Sequence, residues 1–423
     1  MVEKTMTLKT RLSVLLISTP ILAFVIIGGL MGKASAVTTE GPDETFQHLK
    51  VFQDVVHLVM SNYVEEVKVD KAMEGALRGL AEGLDPDSAY LTAAQVREIE
   101  QKTGLPEGEI GVELTRQFYL RVIAAREGSP AAKAGLRTGD YIRAIDGKAT
   151  RDMQVFEGVR ALRGQPGSKV TLTVLRGNAA EPHEVIVVRE KASLPPVTSK
   201  MLAGDIGYIR IPVFAAGTRA DVERVGAELA KSGAKNLVID IRHTAEGAID
   251  HGIETARLFV KSGTIAVKAG RETVGDDKKL VAGAREKIAA QPGDGAIELP
   301  VKLLVTAGTS GAAEVFAAAL DGNKRAELVG EHTIGRAAVQ KLVPLPEGRG
   351  LWLTYSRYIH PSGEPIHGPG LKPTVAVAEP TVEFGEPPSE LDVILKTAVE
   401  RMKGMGLMTT PKGAGQHELR PLR

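Results

Sequence analysis

Apolar residues recur at helical spacing between Phe46 and Tyr63, at Leu49, Phe52, Val55, Val56 and Val59, which predicts a helix with one broad apolar face. The stretch from Asp70 repeats the pattern as far as Gly83 and stops at the Asp85-Pro86-Asp87 turn. Ala94–Lys102 predicts one more short helix. The pattern then changes to short runs separated by turns. Glu109–Leu114 (EIGVEL) starts as a strand, Met153–Leu162 reads as a helix, and Lys169–Arg176 and Glu184–Arg189 read as strands. From Leu194 onward, buried-strand runs alternate with amphipathic helices. Gly207–Pro212, Asn236–Ile241, Val301–Val305 and Glu327–Val329 are the strands, and residues 219–231, 249–260 and 312–320 are the helices. Alternation of this kind predicts an α/β layer with parallel strands. The charged stretch Arg271–Gly295 is expected to be a helical insertion or a surface excursion.

The expected architecture is therefore multidomain α/β. Residues 1–36 form a signal peptide or membrane anchor, 37–103 a helical segment and 104–192 a β-barrel-like domain. Residues 193–390 form an α/β core with a parallel-containing sheet, and 391–423 a C-terminal helix with a basic, disordered tail.

The chain has 423 residues, 43% of them hydrophobic, enough for two or three ordinary cores. A net charge of +1 and only 4% aromatic residues give no support for nucleic-acid binding. Without cysteine there is no disulfide, thiol or zinc-thiolate chemistry. No histidine shows metal-ligand spacing with acidic residues, and no phosphate-binding glycine loop is evident, so neither metal nor cofactor is expected. Lys4, Lys9 and Arg11 precede an apolar run from Leu12 to Met31, followed by Ala34-Ser35-Ala36. This is the layout of an export signal, cleaved or retained as an anchor, and both alternatives place the remaining chain in the cell envelope outside the cytoplasm.

Three groups of motifs carry the chemistry. Gly128–Thr150 (GSPAAKAGLRTGDYIRAIDGKAT) resembles the turn-rich run of a PDZ domain. Such domains add an extended peptide to a sheet edge and hold its terminal carboxylate with backbone amides, here those of Ile110, Gly111 and Val112. Leu304–Glu314 (LVTAGTSGAAE) and Gly330–Gln340 (GEHTIGRAAVQ) resemble the two active-site motifs of the carboxy-terminal processing (tail-specific) proteases. Asp70–Leu91 and Tyr355–Lys372 resemble further stretches of that family, the first through its "LDPxSxYL" pattern. At Thr374 the family often has an acidic residue instead.

In that family a serine nucleophile and a lysine general base form a dyad. The resemblance places Gly311 at the serine position and Arg336 at the lysine position, 25 residues apart (336 − 311). Glycine offers no nucleophile, and arginine stays protonated and cannot accept the proton. Gln340 matches the glutamine that helps hold the lysine; with the lysine gone it reads as a polar residue entering a strand. The family's oxyanion loop, R-[NG]-N-P-G-G, is matched by Arg242 to Gly247, with Ala245 and Glu246 in place of proline and glycine. A carboxylate there opposes oxyanion stabilisation. An Arg336–Glu246 ion pair is one expectation raised by these changes. Glu314, which opens the helix after Gly311, needs no more than a structural role at a helix N-terminus.

Three functions follow from this reading. The first is a proteolytically inactive member that binds protein C-termini or extended peptides as a scaffold, adaptor or regulator, able to assemble with an active relative. The second is an active serine endopeptidase with a rearranged site, for which Ser310 and His243 are the candidate pair. The third is a purely structural protein with a closed PDZ groove, assembled through its helical ends. A homo-oligomer is expected.

Overall fold

The computed structural model describes residues 42–101, 105–177, 181–274, 279–386, 389 and 391–404. The expected signal or anchor at Leu12–Met31 and the basic tail lie outside them. No helix among the described residues is long and apolar enough to cross a membrane. The chain divides into two compact units, residues 1–75 and 76–423. The first holds α1 (Pro42–Asn62) and the start of α2 (Val69–Glu82). On α1 the side chains of Phe46, Leu49, Val55 and Val59 are exposed.

The second unit continues with β1 (Ala89–Leu91) and α3 (Ala93–Glu100), whose capping box is formed by Thr92 and Gln95. The PDZ-like domain comes next. Its elements are β2 (Gly108–Glu109), β3 (Val112–Gln117), β4 (Tyr119–Ala125), α4 (Pro130–Lys133), β5 (Tyr141–Ile145), β6 (Lys148–Ala149), α5 (Val155–Leu162), β7 (Lys169–Leu175), β8 (His183–Val188) and β9 (Glu190–Lys191). Antiparallel pairing runs β3-β4-β5-β7-β8, with β6 on β5 and β2 on β9. Alternate residues of these strands, among them Leu114, Leu120, Val122, Ile142, Val170, Leu172 and Val174, fill one core.

The core domain holds β10 (Thr198–Met201), β11 (Ile206–Arg210), α6 (Thr218–Lys231), β12 (Asn236–Asp240), α7 (Ile249–Ala256), β13 (Thr264–Val274), β14 (Lys279–Ala289) and β15 (Val301–Val305). It continues with α8 (Ala312–Gly322), β16 (Ala326–Gly330), β17 (Ala338–Pro344), β18 (Gly350–Ile359), β19 (Val375–Ala376) and α9 (Val393–Met402). One sheet runs β10-β11-β12-β15-β16-β19 and is parallel from β11 onward. Both its faces are covered, which is why its strands read as unbroken apolar runs. Ile209, Ile239, Leu303 and Leu328 face α6, α7 and α8. Their neighbours Val238, Leu304 and Val329 pack with Ile394 and Ala398 of α9.

The second sheet is antiparallel, in the order β1-β18-β13-β14 with β17 also on β18. Here one expectation is corrected: most of Arg271–Gly295 is not helical but belongs to the long β13–β14 hairpin. Its charged residues run together, as in Arg285-Glu286-Lys287, all three exposed, so the sequence shows no strand period there.

Phe316 of α8 is fully buried. Its ring lies 5.3 Å from Phe214 and 5.8 Å, edge-on, from Phe259. These contacts pin the helix that carries the candidate site. Phe316→Ala is expected to destabilise the folded chain by about 3–5 kcal/mol, read from urea denaturation.

Candidate functional site

The turn from β15 into α8 is built by threonines and a glycine. The Thr309 hydroxyl donates to the Ile241 carbonyl (3.0 Å) and accepts from the Thr306 N–H (3.0 Å). The Ser310 N–H donates to the Thr244 carbonyl at 3.0 Å. Gly311 then takes φ 58°, ψ −113°, a backbone that residues with a Cβ avoid. A Cβ there would meet only the Arg336 carbonyl, 4.0 Å away, so the space for a side chain exists.

The two motif segments meet around one carboxylate. Glu314, fully buried in the first turn of α8, accepts from the Thr333 hydroxyl (2.5 Å) and the Gly335 N–H (2.6 Å) on one oxygen. Its other oxygen accepts from the Arg336 N–H (2.7 Å) and the Gly311 N–H (3.1 Å). Burial pushes its pKa up, and the four donors oppose that rise. Gly311 and Arg336 are thus held by the same oxygen atom.

The Arg336 side chain leaves this point in a defined direction. Its Nε donates to Asp87 (3.1 Å), its Nη2 makes a second bond to the same carboxylate, and its Nη1 donates to the Leu114 carbonyl of β3 (2.6 Å). The Asp87 side chain is 6% exposed. Sequence reading missed this partner. Asp87 fills the first free position of the "LDPxSxYL" pattern and is 249 residues from Arg336. The expected Arg336–Glu246 pair is not formed. Glu246 instead accepts from Arg126 Nη1 (2.7 Å), whose Nη2 bonds Glu109 (2.5 Å). The loop that carries Glu246 leads into Gly247 (φ 129°), where a Cβ would strike the Phe214 carbonyl.

His243 directs both ring nitrogens elsewhere than Ser310. Nδ1 is hydrogen-bonded with the Thr138 hydroxyl (2.9 Å), and Nε2 lies 3.0 Å from Glu379. Gln340 donates to the Thr354 hydroxyl across the β17–β18 pair at 3.2 Å.

In the PDZ-like domain Gly111 has φ 74°, and a Cβ would lie 2.4 Å from that of Ser129. The Gly111 carbonyl accepts from the Arg126 N–H (2.9 Å) and the Ser129 hydroxyl (3.2 Å), and the Ile110 carbonyl from the Ala131 N–H (2.9 Å). With these carbonyls tied back toward α4, the N–H groups of Ile110 and Gly111 have no backbone acceptor among the described residues.

A β domain with a glycine-turned loop, docked on a doubly covered α/β sheet whose strand–turn–helix meets a second loop at Glu314, defines a PDZ-containing peptidase fold. Residues 205–377 match the model of peptidase family S41, and residues 121–176 match that of a PDZ domain. A carboxy-terminal-processing protease of Bartonella bacilliformis is 31% identical over 89% of this chain and 87% of its own length. A carboxyl-terminal-processing protease of Synechocystis is 31% identical over 86% of this chain and 83% of its own. Among solved structures, the photosystem II D1 C-terminal processing protease superposes with a TM-score of 0.62 at 26% identity, covering 78% of this chain and 92% of that one. The chain belongs to the carboxy-terminal-processing protease family.

Glu113 on β3 adds an electrostatic consequence. Burial, reinforced by Glu246, Asp87 and Glu109 and opposed by Arg336, raises its pKa from 4.5 to about 7. The folded state therefore holds this proton more tightly than the unfolded chain. The resulting stabilisation is complete below about pH 4.5 and is lost as the pH rises through 7. Glu113→Gln is expected to raise the melting temperature more at pH 8 than at pH 4.5, measured by thermal denaturation across that range.

Proposed function

We propose that this chain is a proteolytically inactive, exported member of its family that binds protein C-termini or extended peptides through the PDZ domain and acts as a scaffold or regulator. The observation that carries the reading is the junction at Glu314. The position that supplies a nucleophile in the family is Gly311, and the position that supplies a base is an arginine bonded twice to a buried aspartate. A guanidinium so paired has no lone pair with which to accept a proton. Losing one member of a nucleophile–base unit removes about as much rate as losing all of it, on the order of a million-fold.

Peptide binding is supported by the glycine-turned loop at Ile110, Gly111 and Val112 at the head of β3. Export is supported by the basic, apolar and small-residue pattern of the first 36 residues. The exposed apolar side chains of α1 fit the expected homo-oligomer.

The test is cleavage of an unfolded protein such as casein by the purified full chain, beside Gly311→Ser/Arg336→Lys and Ser310→Ala variants. The natural chain is expected to leave the substrate intact. Cleavage by the double variant would localise the loss to the dyad. Cleavage by the natural chain that Ser310→Ala abolishes would overturn the proposal.

A further inference from the structure

An extended peptide that adds to β3 needs two things from it: the hydrogen-bonding groups of its open edge and a place for the terminal carboxylate. The Leu114 carbonyl belongs to that edge. Leu114 lies opposite Val122 in the β3–β4 ladder, but the Val122 N–H donates to the Asp140 carbonyl, so it does not bond Leu114. The Leu114 carbonyl accepts from Arg336 Nη1 instead, at 2.6 Å. A guanidinium N–H from the core thus occupies an acceptor that a docked strand would use.

The carboxylate end shows the same relation with the sign reversed. The guanidinium of Arg126 lies against Gly111, with Nη2 3.2 Å from where a Cβ would stand, and its own backbone N–H closes the loop onto the Gly111 carbonyl. Its side chain is 6% exposed and faces two carboxylates. Glu109 is 13% exposed and shares its other oxygen with Arg163 (2.8 Å). Glu246 comes from the core, is 33% exposed, and pairs with Arg126 alone among the described residues. Glu246 is therefore the exchangeable partner. A peptide carboxylate in its place would leave Arg126 facing two negative charges, as before, with no change in the charge balance of a buried group.

We infer that Arg126 is the cation that reads a ligand's terminal carboxylate, and that the core fills the groove in its absence, with Glu246 standing in for the carboxylate and Arg336 for a peptide N–H. This rests on the reading of Ile110, Gly111 and Val112 as the carboxylate loop. Ligand and core then compete for the same two contacts, and the affinity for C-termini is set by residues outside the PDZ domain. Both core residues stand where the family has something else, a glycine and a lysine.

The experiment measures binding of a fluorescein-labelled decapeptide pool, randomised at its last four residues, to the full chain by anisotropy. The pool is used once with free C-terminal carboxylates and once amidated. Glu246→Gln is expected to tighten the free-acid pool by about tenfold and the amidated pool by less than about twofold, and Arg336→Lys, which keeps the charge beside Asp87 but not the forked donor, to tighten both. Arg126→Gln is expected to erase the preference for the free acid. The inference is overturned if the natural chain binds and Glu246→Gln leaves the free-acid affinity unchanged or shifts both pools alike. If neither pool binds the natural chain or any variant, the peptide-binding reading falls and takes the inference with it.

Discussion

The Glu314 carboxylate is the constraint on which the site depends. A buried carboxylate is stable only when its lone pairs are met, and here four donors from two segments meet them: a hydroxyl from Thr333 and amides from Gly335 and Arg336 in the β16–β17 loop, and the amide of Gly311 in the β15–α8 turn. Each belongs to a loop between a strand and the next element. The carboxylate fixes those loops to the start of α8, and α8 is fixed in turn by Phe316 between Phe214 and Phe259. This arrangement does not need a serine or a lysine. The scaffold that would orient a dyad survives because it also holds the core together, and the reactive positions can change without unfolding it.

On the proposed reading, position 336 serves structure. A lysine there would present a single compact charge. Arginine presents a planar fork, with two N–H groups fitting the Asp87 carboxylate and a third reaching the Leu114 carbonyl. Arg336 is thereby a cross-link between the segment before the PDZ domain, the PDZ strand β3 and the core. The accumulation of Glu109, Glu113, Glu246 and Asp87 around Arg336, Arg126 and Arg163 completes the junction. Burial, with the neighbouring carboxylates adding to it and Arg336 opposing it, raises the pKa of Glu113 there.

Much of this was legible in the sequence, for reasons of burial. Asn236–Ile241 and Val301–Val305 read as parallel strands because both faces of their sheet are covered. The PDZ run read clearly because its turns need glycine at fixed places, Gly111 among them. Gly311 and Arg336 could be singled out from the sequence because each motif is local. The β13–β14 hairpin differs from the helical expectation because its charges run consecutively, as in Arg285-Glu286-Lys287, and leave no period of two to read. The ion pairs were beyond reach. Charge complementarity suggested Arg336 with Glu246, but partner choice is decided by which segments the fold brings together, and it brought Asp87 to Arg336 and Arg126 to Glu246.

The central claim is that position 336 now carries structure instead of chemistry, and a double-mutant cycle tests it most directly. The stability of the natural chain, Arg336→Lys, Asp87→Asn and the double variant would be measured by urea denaturation. The account predicts that Arg336→Lys, although it restores the residue the family uses, destabilises the chain, and that the two positions are coupled by about 1–3 kcal/mol. A lysine variant as stable as the natural chain, with no coupling to Asp87, would contradict it.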